Sequence, residues 1–270
     1  MSTAQHEHPP AAPSPARVGR YMLGKLAISA VNMQEVLARL DAQVQRRRSG
    51  YICVANVRVA VLCQWDREFC RIQNQSMITL PDGMPLAWAG WAAGAKGVDR
   101  TTGPDLIQEV LRQSPGKGYC HYFYGEEPAV LERVIETVRR DYPAVEIRGW
   151  QSPPFREPTQ EDLDQAVEEI NRLKPTFVWV ALGAPKQERW MANIVDRVDS
   201  AILVGVGAAF RFVIGEYRHP PRIVQRLGLE GLYWRFSKNP FREMLWYAKH
   251  VPIYTLLLLG VVARRLFKRR

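Results

Sequence analysis

One carboxylate separates two apolar stretches in the first third of the chain. In SMITLPDGMPLAW, residues 76–88, Asp82 ends a short β-type run, and a second apolar stretch follows Gly83. Asp-Gly after Pro is a common turn sequence, so turn formation alone can explain the segment. A carboxylate in an apolar setting at a strand end can also accept a proton from a hydroxyl group. The sequence leaves Asp82 open as a turn residue or a general base.

A second polar residue, Asn56, ends another β-type run, YICVA at residues 51–55. An Asn here can cap the following helix with its side-chain oxygen. It can also hydrogen-bond a sugar hydroxyl or orient a neighbouring acid. Both roles stay open for Asn56.

Three further strand ends carry residues suited to a phosphorylated nucleoside. In GAPKQERWM, residues 183–191, free amides at a helix start attract phosphate and Lys186 adds a cation, although an ordinary polar helix start explains the segment too. The two acids of FYGEEP, residues 123–128, would repel phosphate and favour a position near the nucleoside. GVGAAFRF, residues 205–212, is a weak dinucleotide signal because Phe210 breaks the GxGxxG pattern.

Other catalytic patterns are missing from the sequence. It holds no GxSxG, HExxH, P-loop or kinase motif, and only His121 and His219 lie in the body of the chain, so carboxylate chemistry is the main option. In RTTGPDL, residues 100–106, Arg100 precedes a helix start that a Thr or Asp can cap. The four cysteines form no CxxC pair, so we expect buried thiols in a reducing compartment and no zinc site.

Short β-type runs alternate with helical stretches along the chain. The predicted strands are residues 51–55, 76–80, 121–124, 177–182 and 201–204, and the predicted helices are residues 33–45, 104–111, 128–140, 160–173 and 187–195. This alternation predicts an α/β fold with a mostly parallel sheet covered by helices on both faces. Such sheets bind ligands at the carboxyl ends of their strands, where the polar and Gly-rich segments lie.

The net charge of +10 comes entirely from the last 60 residues, which hold 13 Lys or Arg and three acids. A basic tail predicts an anionic partner, such as nucleic acid, an acidic lipid surface or a phosphorylated ligand. The tail contains an apolar run of 13 residues, 251–263, followed by RRLFKRR. Because a span needs roughly 20 residues, we favour an interfacial segment on an anionic membrane over a single span or a buried core helix. Cations around a Leu-rich run suit lipid better than nucleic acid.

Taken together, the motifs resemble the WecG/TagA/CpsF glycosyltransferases, glycosyltransferase family 26. The resemblance runs in the family's order from about residue 36 to residue 242. Its segments are Asn56, PDGMPLAW, RTTGPDL, FYGEEP, GWQSPPFR, GAPKQERWM, GVGAAF, GLEGLY and NPFR. SPPFR and GAPKQERWM are most similar to the exopolysaccharide-assembly members.

The resemblance implies a Rossmann-like core and inverting transfer of a hexose or N-acetylhexosamine, or its uronate, from a UDP-sugar to a polyprenyl-diphosphate-linked sugar. It places the catalytic base on Asp82, with Asn56 beside it. The implied donor contacts are Gly125, Gly183, Lys186, Gln187, Glu188, Gly207 and Arg211, and the implied diphosphate or acceptor contacts are Arg100, Arg235 and Arg242. Arginine forks would stabilise the leaving UDP, so no metal or other cofactor is expected.

The chain departs from the family's pattern at the donor site and in the tail. The family's Thr two residues before Asn56 is Val54, and Arg211 stands where the family has Asp. Residues 219–221 read HPP where the family has RAP, and Leu245 takes the place of a third tail arginine. These departures motivate a second hypothesis: a catalytically degenerate member that binds nucleotide sugar or lipid diphosphate as an assembly partner.

We expect three regions along the chain. Residues 1–17 form a disordered segment, residues 18–215 a Rossmann-like catalytic domain, and residues 216–270 a basic, apolar helical appendage that binds membrane. The N-terminus has no signal-peptide pattern, so we expect a cytoplasmic protein on the inner face of the cell membrane. A homo-oligomer is left open.

Overall fold

The computed structural model describes residues 18–230, residue 233 and the backbone of residues 240–267, with side chains described again from residue 248. The predicted N-terminal segment, residues 1–17, therefore lies outside the described residues. So do Arg235 and the side chain of Arg242.

A small hairpin precedes a six-stranded parallel sheet. The hairpin pairs β1, Arg20–Leu23, with β2, Leu26–Ser29. The strands of the sheet are β3 Gly50–Ala55, β4 Ile78–Pro81, β5 Cys120–Gly125, β6 Glu146–Gln151, β7 Phe177–Ala181 and β8 Ile202–Gly205. Their order across the sheet is β4-β3-β8-β7-β5-β6, and every neighbouring pair is parallel. All six carboxyl ends therefore meet at one edge.

Helices make the connections that parallel strands require. They are α1 Met33–Gln45, α2 Val57–Trp65, α3 Arg67–Gln75, α4 Met84–Ala93, α5 Gly103–Lys117, α6 Pro128–Asp141, α7 Gln160–Leu173, α8 Lys186–Ile194, α9 Ala209–Val213, α10 Arg222–Arg226 and α11 Pro240–Phe267. Side-chain oxygens of Asn32, Asn56 and Thr102 cap α1, α2 and α5 by accepting a backbone N–H of the first turn.

The sheet is buried on both faces because successive strand residues point to opposite sides. In β3, Ile52 and Val54 belong to a core with α1, α5 and α6, whereas Tyr51 and Cys53 belong to a second core with α7 and α8. The expectation of an α/β fold built on a parallel sheet is confirmed. All four cysteines are free and buried, as predicted.

The five predicted strands and five predicted helices are present, and the structure adds further elements and extends one helix. The hairpin and β6 were not predicted; β6 is an edge strand whose residues are at most half-buried. Helix α5 continues beyond residue 111 and through Pro115 to Lys117. Helices α2 to α4 were not predicted either, and α4 is apolar on all sides, which hides helical periodicity.

His121 is part of the core, and both of its ring nitrogens have hydrogen-bond partners inside the protein. Its Nδ1 accepts from Trp179 Nε1 at 3.0 Å, so Nε2 carries the proton and donates to Ser114 Oγ at 2.8 Å. The Ser114 hydroxyl donates in turn to Val110 O at 2.6 Å. Burial lowers the pKa of His121 to about 3. This Ser–His pair is therefore a neutral structural contact.

The C-terminal helix α11 packs one face on the body of the protein. Tyr254 and Val261 are buried in a cluster with the hairpin, α2 and α4. The Tyr254 hydroxyl donates to Pro85 O at 2.6 Å, and Arg265 donates to Trp91 O at 2.9 Å. These contacts attach the predicted appendage directly to α4.

The opposite face of α11 is apolar and exposed. It presents Leu256, Leu259, Leu266 and Phe267. The segment Ala248–Phe267, 20 residues with a mean hydropathy of 1.4, is long and apolar enough to cross a membrane by length and composition. Only 11% of its most apolar window is buried, which argues against the buried-core-helix interpretation.

Candidate active site

The predicted site residues follow the carboxyl ends of the strands and lie along one edge of the sheet. Asp82 follows β4 and Asn56 follows its neighbour β3, with Gly207 after β8 in the centre. Gly183 follows β7, and Gly125 ends β5 on the far side. The prediction that these segments meet at one edge is confirmed by the strand order.

Asp82 and Asn56 are held side by side. The backbone N–H of Asp82 donates to Ala55 O at 2.8 Å, and the Asn56 side chain lies close enough to the Asp82 carboxyl to lower its pKa. Asn56 Oδ1 also accepts the Val59 N–H at 3.2 Å. The Asn56 oxygen therefore caps α2, whereas the role of its amide in orienting Asp82 stays a prediction.

The Asp82 carboxyl has the acidity of a base that works near neutral pH. It is partly exposed at the edge of the sheet. Burial raises the pKa of Asp82 to about 7, and the negative charge of Glu230 adds to this shift. Arg100 and the Asn56 side chain act in the opposite direction. A carboxylate with this pKa can take a proton from a hydroxyl group at physiological pH.

Arg100 belongs to a network of charges that acts on the pKa of Asp82. Its Nε and Nη2 donate to the two carboxylate oxygens of Glu230 at 2.8 and 2.7 Å. Its Nη1 donates to Asp105 Oδ2 at 2.8 Å, and Asp105 is fixed by Thr102 Oγ1 at 2.7 Å. These carboxylates raise the pKa of Arg100. Glu230 was not singled out from the sequence, because it lies 130 residues beyond Arg100 in the chain.

Gln187 and Glu188 are buried between the β7 and β8 loops. Gln187 Oε1 accepts the Gly207 N–H at 3.0 Å, and its Nε2 donates to Glu188 Oε1 at 3.0 Å. Burial raises the pKa of Glu188 to about 7. Both side chains therefore shape the loops around the predicted donor site, and direct contact of Gln187 or Glu188 with the donor stays a prediction.

The β5 loop is tied to the β8 loop by an ion pair. Arg211 donates to both carboxylate oxygens of Glu126, at 3.2 and 2.9 Å, and its Nη1 donates to Glu216 at 3.1 Å. Gly125, with φ +118°, is required between them because a Cβ there would lie 2.5 Å from Ala181 O. The guanidinium of Arg211 is thus occupied by protein carboxylates.

Lys186 and Gly183 lie on the open side of the same edge. Lys186 pairs with Glu157 at 3.2 Å and stands over the Phe155 ring, whose side chain is fully exposed. Gly183 has φ +75° and no atom within 4 Å of an added Cβ position. Their predicted roles toward a nucleotide are untested by these contacts.

A cavity of about 270 Å³ opens beside Arg100. Its lining residues are Met84, Asp99, Arg100, Arg222, Gln225 and Arg226. The two arginines of α10 were not singled out from the sequence, although their spacing of four residues was visible there. Among the described residues, no group of three or more His, Cys, Asp or Glu could hold a metal ion.

Comparison with known proteins gives concordant results. A family profile described as "Glycosyl transferase WecG/TagA/CpsF family" matches residues 21–270. A Bacillus subtilis protein named N-acetylglucosaminyldiphosphoundecaprenol N-acetyl-beta-D-mannosaminyltransferase is 27% identical over 218 residues, which cover 80% of this chain and 81% of that relative. A Bacillus spizizenii protein of the same name is 27% identical over 210 residues, covering 77% and 79%.

Proposed function

This chain belongs to the WecG/TagA/CpsF glycosyltransferase family, and we propose that it moves a sugar from a UDP-sugar to a polyprenyl-diphosphate-linked sugar with inversion. The relatives' name describes transfer of an N-acetylmannosaminyl group to an acceptor sugar on diphosphoundecaprenol. For this chain the donated sugar is a hexose or an N-acetylhexosamine, or its uronate. The product belongs to exopolysaccharide or another cell-surface polysaccharide.

The observation that carries the proposal is the position of Asp82 at the end of β4, next to the end of β3 where Asn56 lies, with a pKa of about 7. The acceptor hydroxyl loses its proton to the Asp82 carboxylate while its oxygen attacks the anomeric carbon of the donor. The bond from that carbon to the diphosphate oxygen breaks, and UDP leaves with the electron pair. Attack opposite the leaving group inverts the anomeric centre.

No metal ion takes part in the proposed reaction. In this proposal Arg235 and Arg242, whose side chains lie outside the described residues, supply the positive charge that the leaving diphosphate needs. Transfer by the purified protein should be the same with and without EDTA. Loss of transfer in EDTA that Mg²⁺ restores would contradict this part of the proposal.

The enzyme works on the cytoplasmic face of an anionic membrane. The exposed apolar face of α11 supports this, because Arg264 and Arg265 near the end of the helix add positive charge to it. The protein should sediment with anionic vesicles and less with neutral ones. Sedimentation with neither kind of vesicle would contradict the membrane assignment, and equal sedimentation with both would contradict the preference for an anionic membrane.

A transfer assay with purified protein tests the function. A panel of radiolabelled UDP-sugars is offered with a short polyprenyl-diphosphate-linked monosaccharide, and label is counted in the lipid product. One donor should give product, and the anomeric configuration of that product should be opposite to that of the donor. A retained configuration would contradict a single displacement at the anomeric carbon with Asp82 as the base.

The second hypothesis, a degenerate binding protein, is supported by two observations at the donor side. Val54 is buried in the core, and Arg211 is engaged by Glu126 and Glu216. Measurable UDP binding without transfer from any donor in the panel would favour it.

A further inference from the structure

The cavity beside Arg100 has the charge and setting of a diphosphate site. Arg222 and Arg226 lie four residues apart, on one side of α10, and both line the cavity. Both are exposed, and neither makes an ion pair with any side chain that the structure describes. Asp99 is the one carboxylate lining it, and its Oδ1 accepts the Arg100 N–H at 2.7 Å. Cations therefore outnumber anions in this cavity.

Apolar side chains in α10 and at its C-terminal end lie next to these arginines in the chain. Ile223 and Leu227 are each displaced by one position from Arg222 and Arg226, and they are 68% and 56% exposed. Together these two exposed side chains form an apolar surface next to the two arginines, which suits a ligand that carries an apolar group beside an anionic one. A nucleoside diphosphate has no long apolar chain that could contact these side chains. A lipid diphosphate joins an anionic head to an apolar chain and can contact both the arginines and the apolar residues.

The cavity is connected to the helix that carries the apolar surface of the protein. Met84 lines the cavity, and the carbonyl of the next residue, Pro85, accepts the Tyr254 hydroxyl of α11. On the other side, Gly228, two residues after the last residue of α10, lies so close to α4 that an added Cβ would be 2.7 Å from Trp88. Gly228 and Tyr254 thus both lie next to Pro85 at the start of α4, and Asp82 lies two residues before this helix.

We propose that Arg222 and Arg226 bind the diphosphate of the lipid-linked acceptor, while Ile223 and Leu227 contact the first isoprene units. This inference rests on the proposed function for the identity of the acceptor. It gives the acceptor a site of its own, separate from the loops after β5, β7 and β8. The acceptor sugar beyond the diphosphate then reaches Asp82 past Arg100.

Binding to the full-length protein in detergent tests the site without requiring transfer. The probes are farnesyl diphosphate, farnesol and UDP, each measured by equilibrium dialysis. The Arg222→Gln/Arg226→Gln variant should bind farnesyl diphosphate at least about tenfold more weakly, because it loses two charge-assisted contacts. Its affinity for UDP and for farnesol should be unchanged.

Two further variants control for charge and for the apolar contacts. Arg47→Gln/Arg48→Gln removes the same charge from exposed residues before β3, at the opposite edge of the sheet, and should bind all probes as the wild type does. The Ile223→Ser/Leu227→Ser variant should bind farnesyl diphosphate more weakly than the wild type does, and its affinity for UDP should be unchanged. Thermal unfolding of each variant verifies that it is folded.

The outcomes separate the site from the reaction. Weaker UDP binding in the α10 arginine variant would assign the cavity to the donor and overturn the proposal. So would a loss of farnesyl diphosphate affinity no larger than that of the Arg47/Arg48 control. Specific farnesyl diphosphate binding by a protein that shows no transfer would support the site while contradicting the proposed function.

Discussion

Two carboxyl groups at the same edge of the sheet share a raised pKa and differ in their surroundings. Burial raises the pKa of Asp82, after β4, and of Glu188, at the start of α8, to about 7. Asp82 is partly exposed, whereas Glu188 is fully buried and hydrogen-bonded by Gln187. A raised pKa alone therefore does not identify a catalytic group, and access to substrate has to accompany it.

The regions around these two groups differ in the same way. On the β4 side, the cavity holds the exposed arginines 222 and 226, which have no carboxylate partner among the described side chains. On the β7 and β8 side, Gln187 and Arg211 are occupied by loop partners. The β4 side therefore offers free positive charge to a ligand. On the β7 and β8 side, the polar side chains stabilise the conformation of the loops around the predicted donor site.

Replacement of Asp82 by Asn should have the largest effect. Asn keeps the size of the side chain but cannot accept the acceptor proton, so transfer should fall by about a thousandfold. UDP affinity should be unchanged, because the donor loops are untouched. Label transfer and UDP binding are measured on the same preparation; substantial transfer by the variant would show that another group is the base.

The Glu188→Gln variant tests whether Glu188, unlike Asp82, has a structural role. A carboxyl whose folded-state pKa is raised binds more protons in the native state, so it costs stability as pH rises through about 7. The variant should therefore melt several degrees above the wild type at pH 8 and close to it at pH 5, and it should keep most of its transfer activity. A loss of transfer as deep as that of Asp82→Asn would place Glu188 in the chemistry.

Much of this edge could be predicted from the sequence, because strand ends in a parallel sheet meet regardless of loop detail. Asp82 and Asn56 each follow an apolar run with β-type residues, and their contact follows from the adjacency of β3 and β4. The residues that shift the pKa of Asp82 were harder to predict from the sequence. Glu230 reaches Arg100 from far along the chain, and no local pattern encodes that pairing.

The sequence also did not predict which polar side chains at this edge are buried and which are exposed. Gln187 and Glu188 are polar residues at a helix start, which predicts exposure, yet tertiary packing buries both. Arg222 and Arg226 lie in the sequence RIVQRL, whose four-residue spacing of arginines and of apolar residues was a usable signal. Because helix α10 has only five residues, periodicity over a longer window did not reveal it.

A smaller effect is expected at Arg211. Its partly exposed pair with Glu126 is worth about 1 kcal/mol, so Arg211→Ala should raise the KM for the donor by roughly fivefold through a looser β5 loop. The KM for the acceptor should stay constant. Arg112→Ala, which removes a surface pair with Glu109 on α5, serves as control. An unchanged donor KM would show that this ion pair does not shape the donor site.

The pH dependence of kcat/KM tests the central claim most directly, because it reports the ionisation of the essential base in the free enzyme. In the wild type, kcat/KM should rise with pH and level off above about 7, since Asp82 must be ionised to act. In Glu230→Gln this limb should move to lower pH, because a negative charge that raises the pKa of Asp82 is gone and Arg100 is less neutralised. A limb that stays in place or moves to higher pH would contradict the account.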